Sequence, residues 1–349
     1  MTLSFPKVCI VDIPGKGQGV RALEDIPRGT LIIAETLKVR YPMKRDLITP
    51  EAIECLLSFP CAPTDHPIIG RFKHFLPLVG SSDEGHGLFA TICKVNHTCP
   101  SPLDGPNAAY CWDEPSGKEL LHAIHDIHRN EEITVSYIHE NSEASQDPLT
   151  FLRKHFGFDC SCRGCLRPAA ERQHSAKRIK AFYQFDDLVL EVINSKQYAP
   201  LSILKDIEKQ LLIVCEEGYE SLISRFSHNA FQLCALYGDA ASASEWEALT
   251  RDMGMVYCGE KSKDVQESFG HAKDPSTHPA WGGFTFLGKR KLHGPCKEIV
   301  AYCYPPSTLA STLSPEPLVP APGKLSKGQK KKARAKAKKT EKQPGLEKD

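Results

Sequence analysis

The sequence predicts an α+β protein, with a core of short β strands in its first half and a helical domain in its second half. Up to about residue 138, short runs that are rich in β-branched residues alternate in polarity, and turn signals such as PGKGQG and DIPRGT separate them. From about residue 176 to residue 258, apolar residues instead recur every three or four positions, which is the spacing of helices. A chain of 349 residues is long enough for both parts to bury a core.

Six runs in the first half have the length and alternation of strands: they are residues 7–13, 19–23, 30–35, 107–112, 120–127 and 131–138. A different segment, about residues 45–85, interrupts them. Its stretch PEAIECLLSF predicts a helix, and Pro60, Pro63 and Pro67 break the pattern that follows. We interpret this segment as a helical insertion on the β core.

The second half predicts about four helices between residues 176 and 258, in a helical domain that we place at residues 169–303. Ser244 and Glu247 have the spacing of a capping box, which predicts a helix start at Ser244. Gly259 is placed to end the same helix, because glycine readily adopts the backbone conformation of a helix end.

Residues 304–349 differ in composition from the rest of the chain. Their first part is rich in proline and serine and predicts a disordered linker. The tail, residues 324–349, carries eleven Lys or Arg and three acids, a net charge of +8, which leaves −7 for residues 1–323. Such a tail is either a solvated, disordered run of like charge or a nuclear address or contact for nucleic acid or another polyanion, and its composition does not favour one alternative over the other.

The sequence lacks the signals of secretion and of membrane insertion. Its start has no basic residues followed by a long apolar run, and no stretch reaches eighteen apolar residues. We therefore expect no membrane partner and a location in the nucleus, the cytoplasm or both. In a reducing compartment, fourteen cysteines are more typical of buried thiols and metal ligands than of a disulfide framework.

Three of these cysteines, Cys160, Cys162 and Cys165, lie within six residues as a C-x-C-x-x-C motif. A structural zinc takes four ligands, so a fourth must come from elsewhere in the chain. The alternative is three reduced thiols without a metal. Thiols this dense in a polar segment gain little from burial, and the spacing therefore favours a metal site.

Glycines at positions 15, 17 and 19 follow a predicted strand, but another strand comes next, so the helix of a dinucleotide-binding loop is missing. The cluster is instead the first of a series of motifs: GKGQGVRALEDIPRGTLIIAE, KVNHTC with PNAAYCW, HAIHDIHRNEEITVSYI and FGFDCSCRGC. This ordered series resembles the SET-domain protein-lysine methyltransferases. It is most similar to the SMYD-like and fungal branch, whose SET domain is split by a helical insert and followed by a helical domain, here without a MYND zinc finger. The resemblance covers roughly residues 7–166.

This resemblance implies a SET-type β core over residues 1–140 and a post-SET zinc region over residues 141–168. The zinc ligands that it implies are Cys99, Cys160, Cys162 and Cys165. It also implies S-adenosylmethionine as the cofactor and a lysine of a histone or another protein as the substrate. The implied cofactor-binding residues are Lys16, Gly17, Gln18, Gly19, Asn96, His97, Tyr137 and Phe158.

Tyr137 ends the run NEEITVSY, where an aromatic residue by default packs across the sheet. The resemblance makes it the catalytic tyrosine, with Tyr110 as a candidate for the lysine channel. Methyl transfer from a sulfonium to an amine is an in-line displacement, which requires alignment, desolvation and weak oxygen contacts to the methyl group. A phenol provides such contacts without acting as a strong base.

The chain departs from the family pattern at three places. Six residues, 100–105, separate the cysteine of NHTC from the proline of PNA, where the family has one. Asn130 replaces a glycine, and asparagine is the other residue that best tolerates positive φ. Lys94 replaces an arginine.

Three functions are compatible with these features. The first is an S-adenosylmethionine-dependent protein-lysine N-methyltransferase. The second is a catalytically silent SET protein that acts as a binding or scaffold module. The third, a metal-bearing nucleic-acid-binding protein, rests on the tail alone, and the acidic body without an aromatic-studded basic groove argues against it.

Overall fold

The described part of the chain begins with short strands and ends with helices, so the α+β prediction is confirmed. A computed structural model describes residues 6–41, 50–57, 86–102, 104–138, 147–195, 202–285 and 291–309, all within one compact unit. The basic tail and most of the predicted insertion lie outside the described residues. No helix in these described ranges combines the length and the apolar character needed to cross a membrane.

The strands form three small sheets. Their bounds are β1 Val8–Ile13, β2 Gly17–Ala22, β3 Leu31–Thr36, β4 Val39–Tyr41, β5 His86–Leu88, β6 Asn96–His97, β7 Ala108–Asp113, β8 Lys118–Ala123 and β9 Glu132–Val135. The sheet orders are β1-β2-β9-β6, β3-β8-β7 and β4-β5. Most pairs are antiparallel, but β6 runs parallel to β9, with Asn96 opposite Thr134. This pairing places the NHTC motif beside the run that leads to Tyr137.

The helices of the described residues are α1 Pro50–Leu57, α2 Pro148–Phe156, α3 Arg163–Leu166, α4 Ala169–Ser195, α5 Ser202–Glu217, α6 Ser221–Leu236, α7 Ala240–Cys258, α8 Lys263–Lys273 and α9 Lys297–Cys303. The four helices α4 to α7 confirm the predicted helical region. Their apolar faces meet in one core, in which Phe182, Phe226, Phe231 and Trp246 are almost wholly buried. This core stabilises the second half largely by removing apolar area from water.

The predicted strands agree with the observed ones apart from their ends. The predicted strand 120–127 begins two residues earlier and stops at Ala123, because the chain then turns toward an isolated bridge between Ile26 and Ile127. The prediction that a helix starts at Ser244 is wrong. Helix α7 begins at Ala240, where the Asp239 side chain accepts a hydrogen bond from the Ser242 amide. Asp239 is the better cap because it lies before the first helical residue.

Two backbone predictions are confirmed. Gly259 ends α7 with φ 78°, and its amide donates to the carbonyl of Met255. Asn130, which stands where the family has glycine, has φ 70° and is the one non-glycine residue with positive φ among the described residues. An asparagine tolerates this conformation because its short side chain crowds the backbone little.

One pair of cysteines departs from the expectation of reduced thiols. Cys111 of β7 and Cys258 at the end of α7 form a disulfide, although 147 residues separate them in sequence. The bond joins the β core to the helical part of the chain. Sequence spacing alone does not reveal such a pair, because the two strand and helix ends meet only after both parts have packed.

A buried acid in β8 gives the stability of the protein a specific pH dependence. Glu119 is 1% exposed, its Oε2 has no hydrogen-bond partner among the described residues, and burial raises its pKa to about 8. In the unfolded chain this carboxyl group releases its proton near pH 4.5. Between about pH 5 and 8, Glu119 is therefore protonated in the native state and ionised in the unfolded state. The contribution of this group to the free energy of unfolding therefore falls as the pH rises through that window.

We expect Glu119→Gln to stabilise the protein increasingly from pH 5 to pH 8, by up to a few kcal/mol at about 1.36 kcal/mol per pKa unit. Glutamine has nearly the same shape and does not titrate. Urea unfolding of both proteins at pH 5, 6, 7 and 8 measures the difference. Parallel stability curves for the two proteins would contradict the raised pKa of Glu119.

Candidate active site and metal centre

Four cysteine side chains converge beside the β core. The Sγ atoms of Cys99, Cys160, Cys162 and Cys165 all lie within 4.8 Å of one another, and this is the one such group of potential metal ligands among the described residues. The Sγ of Cys99 is 3.3 Å from that of Cys165 and 4.0 Å from that of Cys160. Tetrahedral zinc with ligand bonds of about 2.3 Å places its sulfur atoms about 3.8 Å apart, so the arrangement fits a Cys₄ zinc site.

The chain delivers these cysteines from two places. Cys99 follows strand β6, whereas the other three follow helix α2, which ends at Gly157 in the left-handed conformation. Hydrogen bonds from Cys162, Cys165 and Cys99 hold the pKa of the Cys160 thiol below its usual range. Hydrogen bonds from Cys160 and Cys162 instead raise the pKa of Cys99 and Cys165. Cysteine binds a metal as the thiolate, and the gathering of four cysteine sulfur atoms favours zinc, whose charge stabilises all four thiolates.

His97 connects this cysteine cluster to Tyr137. Its Nδ1 accepts a hydrogen bond from the Tyr137 amide at 2.9 Å, which leaves Nε2 to carry the proton and to contact the Cys99 Sγ at 3.1 Å. The ring is buried, and burial lowers its pKa, so the neutral form is favoured. A histidine that donates to a metal-bound sulfur orients that ligand from the second coordination shell.

The glycine-rich turn and the NHTC motif meet at the edge where β2, β6 and β9 adjoin. The Asn96 side chain donates to the Gln18 carbonyl at 3.2 Å and to Glu132 Oε1 at 2.9 Å. Lys16 donates to Glu132 Oε2 at 2.8 Å, and the Lys94 ammonium donates to Gln18 Oε1 at 2.7 Å. One cation and one amide therefore contact the Glu132 carboxylate, and a second cation contacts the Gln18 side chain beside it.

Glycine is required at two positions of this turn. A Cβ on Gly19 would lie 2.5 Å from Ile13 Cγ1 and 2.7 Å from Asn96 Nδ2, so a side chain would push the two strands apart. Gly17 has φ 74°, a conformation that L residues with a Cβ adopt at a cost. Gly19 thus allows the backbone to pack closely against Asn96, and Gly17 allows the positive φ of the turn.

Tyr137 lies in an aromatic cluster on the other side of His97. Its ring centroid is 5.1 Å from those of His97 and Phe156 and 6.5 Å from that of Phe158. Its hydroxyl donates to the carbonyl of Val95 at 2.7 Å, and burial raises its pKa above the usual range. The phenol is therefore protonated at neutral pH, with its remaining lone pairs available for weak contacts.

Tyr110 completes the pair of tyrosines. Its hydroxyl donates to the carbonyl of Ile92 at 3.2 Å, and burial raises its pKa as well. Both hydroxyl groups thus contact the same stretch of backbone, residues 92–95. The residues predicted to bind the cofactor lie around β2, β6 and β9, the four cysteines lie beside them, and the Phe158 ring lies 6.1 Å from the His97 ring.

In the six-residue segment between Cys99 and Pro106, Ser101 and Asp104 contact the helical part of the chain. The Ser101 backbone lies directly over Gly218 at the end of α5, where an added Cβ would lie 2.4 Å from the Ser101 carbonyl carbon. Asp104 accepts hydrogen bonds from the Ser101 hydroxyl and from the Arg163 amide at the start of α3. The loop therefore joins the cysteine cluster to α5.

Three residues lie within the quoted motifs but are not among the predicted site residues. Glu132 holds both Lys16 and Asn96, and Glu35 binds the backbone that precedes the NHTC motif. Asn107 bonds to β9 through both ends of its amide, accepting from the Thr134 amide and donating to the Glu132 carbonyl. A carboxylate at an inward position of an apolar run, as in LIIAET, is the signal that points to Glu35.

Comparison with known proteins identifies a domain over the strands that form this site. Residues 17–138 match the SET domain. The chain is similar to the histone-lysine N-methyltransferase set5 of Schizosaccharomyces pombe, with 28% identity over 289 residues that cover 77% of this chain and 84% of set5. A shorter match to the human protein-lysine N-trimethyltransferase SMYD5, 38% identical over 94 residues, covers 25% of this chain and 20% of SMYD5. The human histone-lysine N-methyltransferase SMYD3 is 32% identical over 81 residues, or 23% of this chain and 17% of SMYD3.

Proposed function

Since the chain contains a SET domain and is related to the SMYD-like and fungal branch of SET-domain lysine methyltransferases, we propose that it transfers methyl groups from S-adenosylmethionine to lysines of proteins. The observation that carries the proposal is the convergence of Asn96, His97 and Tyr137 where the parallel pair of β6 and β9 ends. The relatives named for histone-lysine methylation support a histone substrate, and non-histone proteins are the alternative.

The residues at the rim of the sheet have the chemistry to hold the cofactor. We assign Lys16, Gln18 and Asn96 to its polar groups, together with the backbone of Gly17 and Gly19. A lysine ammonium and an asparagine amide complement a carboxylate and an amine, which are both present at the amino-acid end of the cofactor. Phe158 and the His97 ring provide flat apolar faces for an adenine.

S-Adenosylmethionine supplies a methyl group on a positively charged sulfur, and the protein aligns a neutral amine with it. Tyr137 stays protonated because burial raises its pKa, so it acts through its position and its oxygen lone pairs rather than as a base. We assign the hydroxyl groups of Tyr110 and Tyr137 to the lining of the lysine channel. Water accepts the proton that the lysine ammonium releases before the transfer.

Zinc on the four cysteines would hold the segment that carries Phe158 against the β core. Phe158 lies two residues before Cys160. Cys99 lies two residues after His97, the last residue of β6. One metal ion therefore would tie both aromatic and polar parts of the proposed cofactor site together. No strand pairing holds residues 158–162 among the described residues, so the metal ligands would add to the aromatic packing that positions Phe158.

Tyr137→Phe removes one hydroxyl and little volume. We expect the fold and the cofactor affinity to survive, while the rate of methyl transfer falls ten- to a thousandfold, or by about 1.4 to 4 kcal/mol of activation free energy. Calorimetric titration with S-adenosylmethionine and transfer of label from the tritiated cofactor to a total histone fraction and to a whole-cell lysate measure the two quantities.

Asn96→Ala is the matched variant for the cofactor side, because Asn96 contacts Gln18 and Glu132 but neither tyrosine hydroxyl. It should lose cofactor affinity first, whereas Tyr137→Phe should lose rate first. A folded, metal-loaded wild-type protein that neither binds S-adenosylmethionine nor labels any protein would overturn the methyltransferase proposal. The silent scaffold protein would then be the remaining function.

A further inference from the structure

The hydroxyl groups of both site tyrosines donate to one short backbone segment, residues 90–97. Tyr110 donates to the Ile92 carbonyl and Tyr137 to the Val95 carbonyl, at 3.2 and 2.7 Å. The Tyr137 amide also donates to the side chain of His97 in the same segment. The orientation of both phenols therefore depends on where this segment lies.

Glu35 of strand β3 holds the start of that segment. Its carboxylate accepts hydrogen bonds from three consecutive amides: Ala90 at 2.7 Å, Thr91 at 3.0 and 3.2 Å, and Ile92 at 3.0 Å. These amides precede and begin the 3₁₀ helix Ile92–Lys94, where no earlier turn offers them carbonyl partners. Hydrogen bonds to an ionised acceptor are stronger than those between neutral groups.

The register of the sheet accounts for the inward position of this carboxylate. Residues Ile33 and Glu35 face the same side of β3, where Ile33 packs in the β core. A carboxylate at such a position is costly unless hydrogen bonds satisfy it, and the three amides do so. Glu119, which lies opposite Glu35 in β8, is equally buried and contacts none of these amides.

We propose that Glu35 is a positioning residue for the methyl transfer. It fixes the carbonyls of Ile92 and Val95, and these carbonyls in turn orient the hydroxyl groups of Tyr110 and Tyr137. The catalytic part of this inference rests on the proposed function, whereas the anchoring of residues 90–97 by Glu35 does not. Glu35 acts on the two tyrosine hydroxyl groups only through this backbone segment, so it is a positioning residue and not a catalytic residue.

Hydrogen exchange tests the anchoring directly. Glu35→Gln keeps the size of the side chain but removes its charge and one acceptor oxygen. We expect peptides that cover residues 90–97 to exchange at least tenfold faster in this variant than in the wild type, with the helical domain unchanged. Glu119→Gln is the matched control, because it replaces a second buried carboxyl group on the same sheet face, one that bonds to none of these amides, and should leave residues 90–97 protected. Unchanged exchange in Glu35→Gln would overturn the inference whether or not the protein is an enzyme.

The rate of methyl transfer tests the catalytic part. At saturating cofactor, Glu35→Gln should transfer label to the histone fraction or lysate at least tenfold more slowly than the wild type. Ile207→Ala, in the fully buried core of α5, controls for lost stability alone and should retain the wild-type rate well below its melting temperature. A wild-type rate in folded Glu35→Gln would overturn the positioning role. An inactive wild-type protein would instead overturn the proposed function and this catalytic role with it, and the exchange experiment would still decide the anchoring.

Discussion

Cys162→Ser should abolish stoichiometric zinc binding and destabilise the protein by several kcal/mol. The wild-type chain is expected to bind one zinc, because the four cysteine sulfur atoms are already gathered within 4.8 Å and metal binding contributes directly to folding free energy. Serine is a poor zinc ligand and leaves the other three cysteines as an incomplete site. Metal analysis of freshly reduced protein, together with urea unfolding, measures both effects.

Cys9→Ser is the control, because Cys9 of β1 is also half-buried and free but lies outside the four-cysteine cluster. It should keep the zinc and most of the stability. Cys162→Ser should also weaken S-adenosylmethionine binding, since Phe158 lies only four residues away. Freshly reduced wild-type protein without zinc would remove the four cysteines from the candidate metal centre.

Gly218→Ala should destabilise the protein by about 2–4 kcal/mol, through two separable effects. Gly218 has φ 75°, which costs an alanine of order 1 kcal/mol. A Cβ at this position would also lie 2.4 Å from the Ser101 carbonyl carbon and 2.6 Å from its nitrogen, so the inserted loop would have to move. Equilibrium unfolding in urea measures the sum of the two effects.

Gly157→Ala isolates the backbone effect, because Gly157 has φ 73° at the end of α2 and nothing within 4 Å of its Cβ position. It should cost only about 1 kcal/mol. Deleting residues 100–104 should reduce the cost of Gly218→Ala to the same value, since the backbone that the new methyl group meets is gone. Equal costs for both glycine variants in the full-length loop would contradict the docking of the insertion on α5.

The six residues between Cys99 and Pro106 show what the structure adds to the motif spacing, namely where this loop lies. The family resemblance implies one residue where this chain has six, but their polar and proline-rich composition fits any surface loop. The structure shows them bridging the Arg163 amide and Gly218. Their role in activity depends on whether the helical part of the chain must stay fixed relative to the cysteine cluster, and the loop deletion reports on this as well.

The amino-acid sequence by itself determined the features that local chemistry specifies. Alternating and helical periodicities identified the strands of the β core and helices α4 to α7, because side-chain burial repeats with the geometry of each element. The positive φ angles of Asn130 and Gly259 followed from the backbone conformations that asparagine and glycine tolerate. The cysteine motif indicated three ligands, and the family resemblance supplied the fourth.

Only the tertiary structure decided which distant residues support that site. The parallel pairing of Asn96 with Thr134, the Cys111–Cys258 disulfide and the docking of Ser101 on Gly218 all join positions whose local sequences carry no mark of the partner. The same holds for Glu35, which lies 55 residues before the first amide that it binds. Each of these contacts forms because the packed core brings two distant chain segments together. The periodicity within one segment does not specify which other segment it will contact.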